Sequence, residues 1–435
     1  MTAPPDSASH AAAQAAPSAA ASRVAEQAAP TATANRVAEQ AARSSYGRLI
    51  AILAATDRNI AAAEDALSEA LLAALDHWPR HGIPANPDAW LLTAARNRQK
   101  NAARARSLRQ RAEPDLLLHL TPPPEDAPFP DERLALMFVC AHPAIDPAAR
   151  APLMLQTVLG LDAARIARAF LAEPAAMSQR LVRAKARIRD TGLRFALPDP
   201  ADLPDRLAEV LDAIYAAFTQ GWDGLDTPDA PDALTGEAIW LARLLTALLP
   251  AEPEPKGLLA LMLYCTARHA ARRDASGAFV PLQRQDSRLW NRDMVIEAEG
   301  LLTDAARAAR FGRYQCEAAI QSVLIQRPIT GRLNLAALRT LYDLLVAHTD
   351  GIGARIGRAV ILAESGDPAA GLAALDALDP ARIAGHQPWW VARHRIARLS
   401  GDDALAQEAL DTAISLTEDP ALRAFLIAQG PTSPN

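Results

Sequence analysis

The sequence predicts an all-α protein, and three observations support this fold class. Alanine, leucine and arginine dominate the 435 residues, whereas β-branched residues are sparse and aromatic residues make up 5%. These propensities favour helix and exclude an all-β fold. Apolar residues recur with helical spacing in segments that prolines and glycines separate. With 50% hydrophobic and 22% charged residues, the chain is expected to be globular, with roughly two to four domains of about 150 residues.

The N-terminal residues 1–35 differ from the rest in composition. They are rich in alanine, proline, serine and threonine, which predicts a disordered tail. No basic residue precedes Arg23, so the segment does not resemble a secretory signal. No apolar run approaches the ~20 residues of a membrane span. Three widely spaced cysteines favour a reducing, cytoplasmic location over a disulfide framework.

A helical domain is predicted over residues 36–111, and one of its helices has two different faces. Asn59 is a suitable N-cap for this helix. The apolar stripe, at the 3.6-residue period of a packed helix, contains Ile60, Ala63, Leu67, Leu71, Ala74 and Trp78. The opposite face combines Asp65, Glu69 and Asp76 with Leu72. A leucine within an acidic face is a candidate docking contact, and the alternative is a solvated face with one scattered leucine.

A loop and a basic helix complete this domain. Pro79 is expected to end the preceding helix, which leaves residues 79–88 as a loop and Asp88 as the next helix start. Residues 91–111 contain seven basic residues and no acidic ones, although the chain has a net charge of −5. Such an island fits phosphate binding. The alternative is a solvated basic helix end, stabilised by the helix dipole.

A second helical unit is predicted over residues 131–192, after a proline-rich linker over 112–130. Within it, residues 160–189 predict a helix-turn-helix. Asp162 caps a first helix over 163–170, and Pro174 occupies the first turn of the second helix, where proline is favoured. The inward side chains are expected to be Ile166, Ala167, Phe170, Met177, Leu181, Ala184 and Ile188.

The second of these helices has the features of a DNA-recognition helix. Small residues at its N-terminal end let the backbone enter the major groove, which is ~12 Å wide. Ser, Gln and Arg side chains can reach base edges, and cations further along the helix suit phosphates. The candidate DNA-binding residues are Ala175, Ala176, Ser178, Gln179, Arg180, Arg183, Lys185 and Arg187. The alternative is a plain helical hairpin with a basic surface.

Residues 193–435 are predicted to form a helical extension that contains a repeat. Breaks are expected near 223–233, 250–257, 274–287 and 326–334. Two similar segments, at 364–370 and 399–405, lie 35 residues apart in a register set by Gly366 and Gly401. This period is close to the ~34 residues of tetratricopeptide helical hairpins.

The start of the extension is strongly acidic. Residues 199–255 contain twelve acidic residues and only two basic ones, Arg206 and Arg243. Three interpretations stay open: the segment folds back on the basic surfaces and tunes DNA binding, it repels DNA, or it is an ordinary solvated face.

Together, the two helical units resemble the extracytoplasmic-function sigma factors of bacteria, which are group IV factors of the sigma-70 type. The parts of the chain that resemble region 2 are AEDALSEA at 63–70, Trp78 and AWLLTAARNR at 89–98. The parts that resemble region 4 are Gly160-Leu161, Ile166-Ala167 and RLVRAKARIR at 180–189. The extension is similar to that of a subgroup with a long, tetratricopeptide-like C-terminal domain. The chain differs from the family at Gln99-Lys100-Asn101, where an aspartate is usual, and at Thr219-Gln-Gly-Trp222.

The resemblance implies partners and residue roles. Core RNA polymerase would be bound through its clamp helices by Asp65, Glu69 and Leu72, and through its flap region. The melted minus-10 promoter element would be bound by Trp90, Arg96, Asn97, Arg98 and Lys100, with the loop 79–88. The helix 174–187 would bind the minus-35 element. The extension would regulate the protein through a protein partner or an intramolecular contact.

The sequence offers no catalytic constellation, and we expect neither an enzyme nor a metal or cofactor. The segment Gly351–Gly357 has the wrong spacing for a dinucleotide loop. Cys140 and His142 lack a second ligand pair for zinc, and Pro79 is expected to interrupt the helix that His77 and His81 would need. The alternative function is a DNA-binding regulator or tetratricopeptide scaffold that does not bind polymerase.

Overall fold

The computed structural model describes residues 33–41, 44–110, 132–170, 172–199, 201–223 and 231–430. Over these residues the fold is all-α, as the sequence predicts, with one isolated β-bridge between Arg273 and Phe279. Residues 1–32 of the predicted tail and the predicted linker lie outside the described residues. The chain divides into two compact units, Met1–Ala213 and Ile214–Asn435. The domain boundaries that the sequence suggests stay predictions.

The first unit consists of helices from both predicted helical regions. They are α1 (33–41), α2 (Tyr46–Asp57), α3 (Ile60–His81), α4 (Pro87–Gln110), α5 (Arg133–Cys140), α6 (Pro147–Leu159), α7 (Ala163–Ala169) and α8 (Pro174–Thr191). Helix α9 (Leu203–Asp223) spans the division between the units. In the described part of the chain, no helix is long and apolar enough to cross a bilayer.

Helix α3 forms on the predicted apolar stripe. The Asn59 side chain accepts a hydrogen bond from the Ala62 amide at 3.1 Å, and the stripe is buried except for Leu71, which is half-buried. The prediction that Pro79 ends the helix is wrong, because α3 continues to His81. Pro79 leaves the carbonyl of Leu75 without its helical partner, but Leu75 lies on the exposed side of the helix, where water can hydrate that carbonyl.

Helix α4 begins at Pro87, one residue before the predicted start. The Asn86 side chain caps it by accepting from the Ala89 amide at 3.0 Å. Asp88 has a different role, because its carboxylate accepts from the Ser45 hydroxyl at 2.6 Å. This bond joins the start of α4 to the residue that precedes α2.

Helices α7 and α8 form next to each other, near the predicted bounds. The Asp162 carboxylate accepts from the Arg165 amide at 2.9 Å, and α8 begins at Pro174. The inner stripe of α8 is buried as predicted. Phe170 is 36% exposed, contrary to its expected inward position, because α7 ends at Ala169 and Phe170 lies in the turn that follows.

The second unit is built from helices that pack mainly on their neighbours in the chain. They are α10 (Pro231–Leu248), α11 (Pro253–Ala267), α12 (Arg292–Ala306), α13 (Arg313–Thr330), α14 (Leu335–His348), α15 (Ile352–Glu364), α16 (Pro368–Asp376), α17 (Pro380–Ile383), α18 (Gln387–Ser400), α19 (Asp403–Ser415) and α20 (Pro420–Ile427). The break expected near 326–334 begins later, because α13 runs through Pro328 to Thr330.

Helices α11 and α13 cross at very short range. A Cβ at Gly257 would lie 2.6 Å from the Gln315 backbone nitrogen, so only glycine fits there without a shift. At the start of α13, the Glu254 carboxylate accepts from the backbone amides of Tyr314 and Gln315 at 2.9 and 3.2 Å. Glu254 belongs to the acidic segment, and here its charge caps a helix N-terminus.

The sequence repeat coincides with two similar helix junctions. Gly366 and Gly401 have positive φ values of 104° and 77° and follow α15 and α18. The next helices are capped alike, because Asp367 accepts from the Ala370 amide and Asp402 accepts from the Leu405 amide, both at 2.9 Å.

Candidate nucleic-acid interface

The acidic face of α3 presents an apolar side chain to solvent. Leu72 is 66% exposed, and Asp65 and Glu69 on the same face are exposed too. The Glu69 carboxylate accepts from the Arg98 guanidinium at 2.8 Å. The structure therefore joins a residue predicted to contact polymerase to one predicted to contact the minus-10 element.

Trp90 lies in an aromatic cluster where α3 ends and α4 begins. Its ring centre is 5.5 Å from that of Trp78, edge on, and 5.7 Å from the roughly parallel ring of His77. His77 in turn stacks on His81 at 4.1 Å. Both histidines are exposed. Because the helix continues through Pro79, His77 and His81 lie one turn apart on the same helix, contrary to the expected interruption.

The other minus-10 candidates on α4 differ in exposure. Asn97 and Lys100 are exposed, whereas Arg96 and Arg98 are half-buried, and burial lowers the pKa of Arg96. Gln99 is buried, and its amide lies 3.4 Å from the Leu53 carbonyl oxygen of α2. Gln99, where the resembled sigma factors differ, thus makes a packing contact within the domain.

The N-terminal part of α8 is open to solvent. Ala175, Ala176, Ser178 and Gln179 are all exposed. The Ser178 hydroxyl donates back to the Pro174 carbonyl at 3.0 Å. Small side chains and one long amide therefore form the accessible surface of the first turns, as a groove-binding helix requires.

Further along α8, two of the arginines contact the start of α6 and the turn that precedes it. Arg180 and Arg187 lie 3.4 Å from the carbonyl oxygens of Ala148 and Ala144, respectively. With Arg183 they line a cavity of about 240 Å³ beside Asp146 and Ala149. These contacts hold the guanidinium groups near one surface, where anions would be attracted.

Lys185 lies in a different environment. Its ammonium group donates to both carboxylate oxygens of Glu64 on α3, at 2.6 and 2.7 Å. The side chains are only 12% and 20% exposed, respectively. Tyr46 lies close by, and burial, reinforced by the negative charge of Glu64, raises the pKa of its hydroxyl.

A metal site does not emerge from the described side chains, among which no group of three His, Cys, Asp or Glu residues could hold an ion. Burial raises the pKa of the Cys140 thiol to about 12. Its sulfur lies 3.8 Å from the Thr157 hydroxyl, so Cys140 is a packing residue and not a reactive thiolate.

Comparison with known proteins agrees with the region 2 resemblance. Sigma-70 region 2 matches residues 41–109, which include α2, α3 and nearly all of α4. A family of unknown function, DUF6596, matches residues 206–306. An uncharacterized protein of Rhizobium meliloti is 37% identical over 381 residues, which cover 86% of this chain and 90% of that protein. No solved structure matches the chain.

The first unit therefore contains the region 2 domain of the sigma-70 factors, which contacts core polymerase and promoter DNA. Over most of its length, the chain belongs to the same family as the Rhizobium meliloti protein.

Proposed function

We propose that this protein is an extracytoplasmic-function sigma factor that directs core RNA polymerase to specific promoters. The observation that carries the proposal is the region 2 match over 41–109, within which α3 exposes Leu72 on an acidic face. The resemblance to region 2 assigns this face to the clamp helices of polymerase, and an exposed leucine fits such a contact. The protein itself catalyses no reaction, and it acts in the cytoplasm, with polymerase.

Promoter recognition would use two separate surfaces of the first unit. The exposed N-terminal turns of α8 would enter the major groove of the minus-35 element, with Gln179 and Arg180 near base edges. Trp90 and the exposed polar residues of α4 would hold the melted minus-10 strand, where bases bind by stacking and backbone phosphates by charge. The site residues on both helices are predictions that mutation must test.

The second unit would regulate these activities. The capped helix starts at Asp367 and Asp402 recur after 35 residues, close to the ~34-residue period of tetratricopeptide repeats, and this period supports the proposal. Repeats of this kind expose broad surfaces for protein partners. The acidic residues Glu252 and Glu254 pair with groups of their own unit, which favours a structural role for this part of the acidic segment.

Run-off transcription with core polymerase on a promoter library tests the proposal. We expect the full-length protein to enrich templates that share two spaced elements. Leu72→Glu should abolish polymerase binding, because it places a charge in the apolar contact. Leu289→Glu is the matched control, since Leu289 is 54% exposed in the second unit.

Failure of run-off transcription, together with sequence-specific duplex binding that Leu72→Glu leaves unchanged, would instead identify a DNA-binding regulator. The exposed N-terminal surface of α8 is the observation that favours this second candidate.

A further inference from the structure

The two parts of the first unit that would bind promoter DNA contact each other directly. Helices α2 and α3 belong to the region 2 match, whereas α6 and α8 belong to the predicted region 4. Helix α2 packs on α6, and α3 packs on α8. We call this interface the closed contact and define it by Gly47 against Val158 and Glu64 against Lys185.

The Gly47 side of the closed contact depends on the absence of a side chain. A Cβ at Gly47 would lie 1.6 Å from the Val158 carbonyl oxygen, so α2 and α6 approach at backbone distance. Next to it, the Tyr46 ring covers Gly160, where a Cβ would be 3.2 Å from the ring. The fit at this end is steric and carries no charge.

The Glu64 side is an ion pair largely withdrawn from water. Both carboxylate oxygens accept from the Lys185 ammonium group within 2.7 Å, and at most a fifth of either side chain is exposed. By contrast, two other candidate DNA-binding cations of α8, Arg180 and Arg187, approach neutral backbone carbonyls. Lys185 is thus a candidate DNA-binding cation of α8 that is held by a full negative charge.

For a lysine, the carboxylate of Glu64 is the same kind of partner as a DNA phosphate. Both present two oxygens and a negative charge, and the ammonium group binds either as a point charge. Lys185 cannot donate to a phosphate while it is enclosed against Glu64. We propose that Glu64 is an internal competitor of DNA phosphate for Lys185, so that the closed contact opposes duplex binding by α8.

The same arrangement leaves the polymerase-facing surface accessible, because Leu72 is 66% exposed while Glu64 is covered. This inference rests on the proposed function, since it assigns α8 to duplex DNA. It adds that polymerase can engage α3 before α8 is released. Opening of the closed contact then becomes a step between polymerase binding and minus-35 recognition.

Duplex binding without polymerase tests the inference. The full-length protein is titrated into a short fluorescein-labelled duplex of mixed sequence at low salt, and anisotropy reports binding. Glu64→Gln removes the competing charge and keeps the shape of the side chain. Gly47→Ala forces α2 and α6 apart at the closed contact without changing the charge. Asp76→Asn is the matched control, because it removes one negative charge from an exposed part of α3 that pairs with Arg80.

We expect Glu64→Gln and Gly47→Ala to tighten duplex binding by about three- to tenfold, the scale of one phosphate contact. Asp76→Asn should leave it unchanged. In a Lys185→Met background, Glu64→Gln should have no effect, because the competed cation is absent. Circular dichroism verifies that each variant is folded, and Glu64→Gln carries the test alone if Gly47→Ala does not fold.

The inference is overturned if Glu64→Gln tightens binding no more than Asp76→Asn does, or if its gain persists with Lys185→Met. If run-off transcription succeeds but Glu64→Gln matches wild type, the inference alone fails. If run-off transcription fails while Glu64→Gln still tightens duplex binding, the sigma function is wrong and the competition stands. Absence of duplex binding by every variant overturns the inference whatever the run-off result.

Discussion

In the second unit, helices that follow each other in the chain pack through broad apolar surfaces. One core cluster combines Ile356 of α15, Leu375 of α16, and Trp389 and Ile396 of α18. In the first unit, helices from two separate parts of the sequence also meet, α2 with α5 and α6, and α3 with α8, and the closed contact is part of that interface. A backbone notch at Gly47 and one enclosed ion pair are prominent in that interface.

The apolar packing in the second unit is expected to be permanent, whereas the ion pair in the first unit can exchange one anionic partner for another. Burial of apolar area is favourable at about 25 cal/mol per Å² and has no competitor in water. An enclosed ion pair gains little net free energy, because desolvation offsets the Coulomb attraction, and another anion can replace the carboxylate. We therefore expect the second unit to be a stable array and the first unit to be able to open.

The largest expected effect is in the second unit. Trp389→Ala should lower the free energy of unfolding by about 3–5 kcal/mol, because Trp389 is buried in the α15–α18 cluster and its indole N–H lies 3.3 Å from the Leu375 carbonyl oxygen. Hydrogen exchange should rise across 352–400 and stay unchanged across 46–104. Trp390→Ala, at a half-buried position, is the control, and equal losses from both would contradict a core role specific to Trp389.

A glycine comparison should give an intermediate effect. Gly257→Ala should destabilise the protein by about 1–3 kcal/mol through overpacking, because its Cβ would meet backbone atoms of α13. Gly300→Ala in α12 is the matched control, since it has open space and gains up to about 1 kcal/mol of helix propensity. Urea unfolding measures both, and a neutral Gly257→Ala would show that the α11–α13 crossing can relax.

A smaller effect is expected where the loop after α11 meets the last helix. The Arg273 guanidinium donates to the Asp419 carboxylate at 2.7 Å, and the Phe279 and Phe425 rings meet edge on at 5.3 Å. Arg273→Ala should cost about 0.5–1 kcal/mol, as partly exposed ion pairs do. Faster hydrogen exchange confined to 268–291 and 420–427 would confirm that the ion pair joins the loop to α20. An unchanged pattern would show that the aromatic contact alone joins them.

The smallest effect is a pH dependence in the first unit. Burial, then the positive charge of Arg206, lowers the pKa of His142, and its Nδ1 accepts from the Ala144 amide at 3.0 Å. The folded state therefore binds fewer protons than the unfolded state just below the ordinary histidine pKa of about 6.5. This contribution to stability is present at pH 7 and is lost as the pH falls through the lowered pKa.

His142→Asn keeps a hydrogen-bond acceptor but does not titrate. We expect the thermal midpoint of this variant to fall less than that of wild type between pH 7 and pH 5. Parallel curves for the two proteins would show that His142 contributes nothing to the pH dependence.

Much of the local structure follows from the sequence. The apolar stripes of α3 and α8, the caps at Asn59 and Asp162, and the start of α8 at Pro174 all form where spacing and capping chemistry predict them. The errors lie at helix ends. Pro79 and Pro328 stay inside helices, and Phe170 leaves one, because the fate of a terminal turn depends on solvent access and neighbouring packing.

For the candidate site, too, some features follow from the sequence and others only from the tertiary structure. The sequence by itself determined which helices are basic, which face of α3 is acidic and where Leu72 stands, since helical periodicity assigns each side chain to a face. Only the tertiary structure decided that Arg98 meets Glu69 and that Lys185 is enclosed by Glu64, 121 residues away in the chain. Charge composition cannot distinguish a cation that is accessible to phosphate from one that is already paired with a carboxylate of the same protein. Such pairing depends on distances that no local sequence pattern encodes.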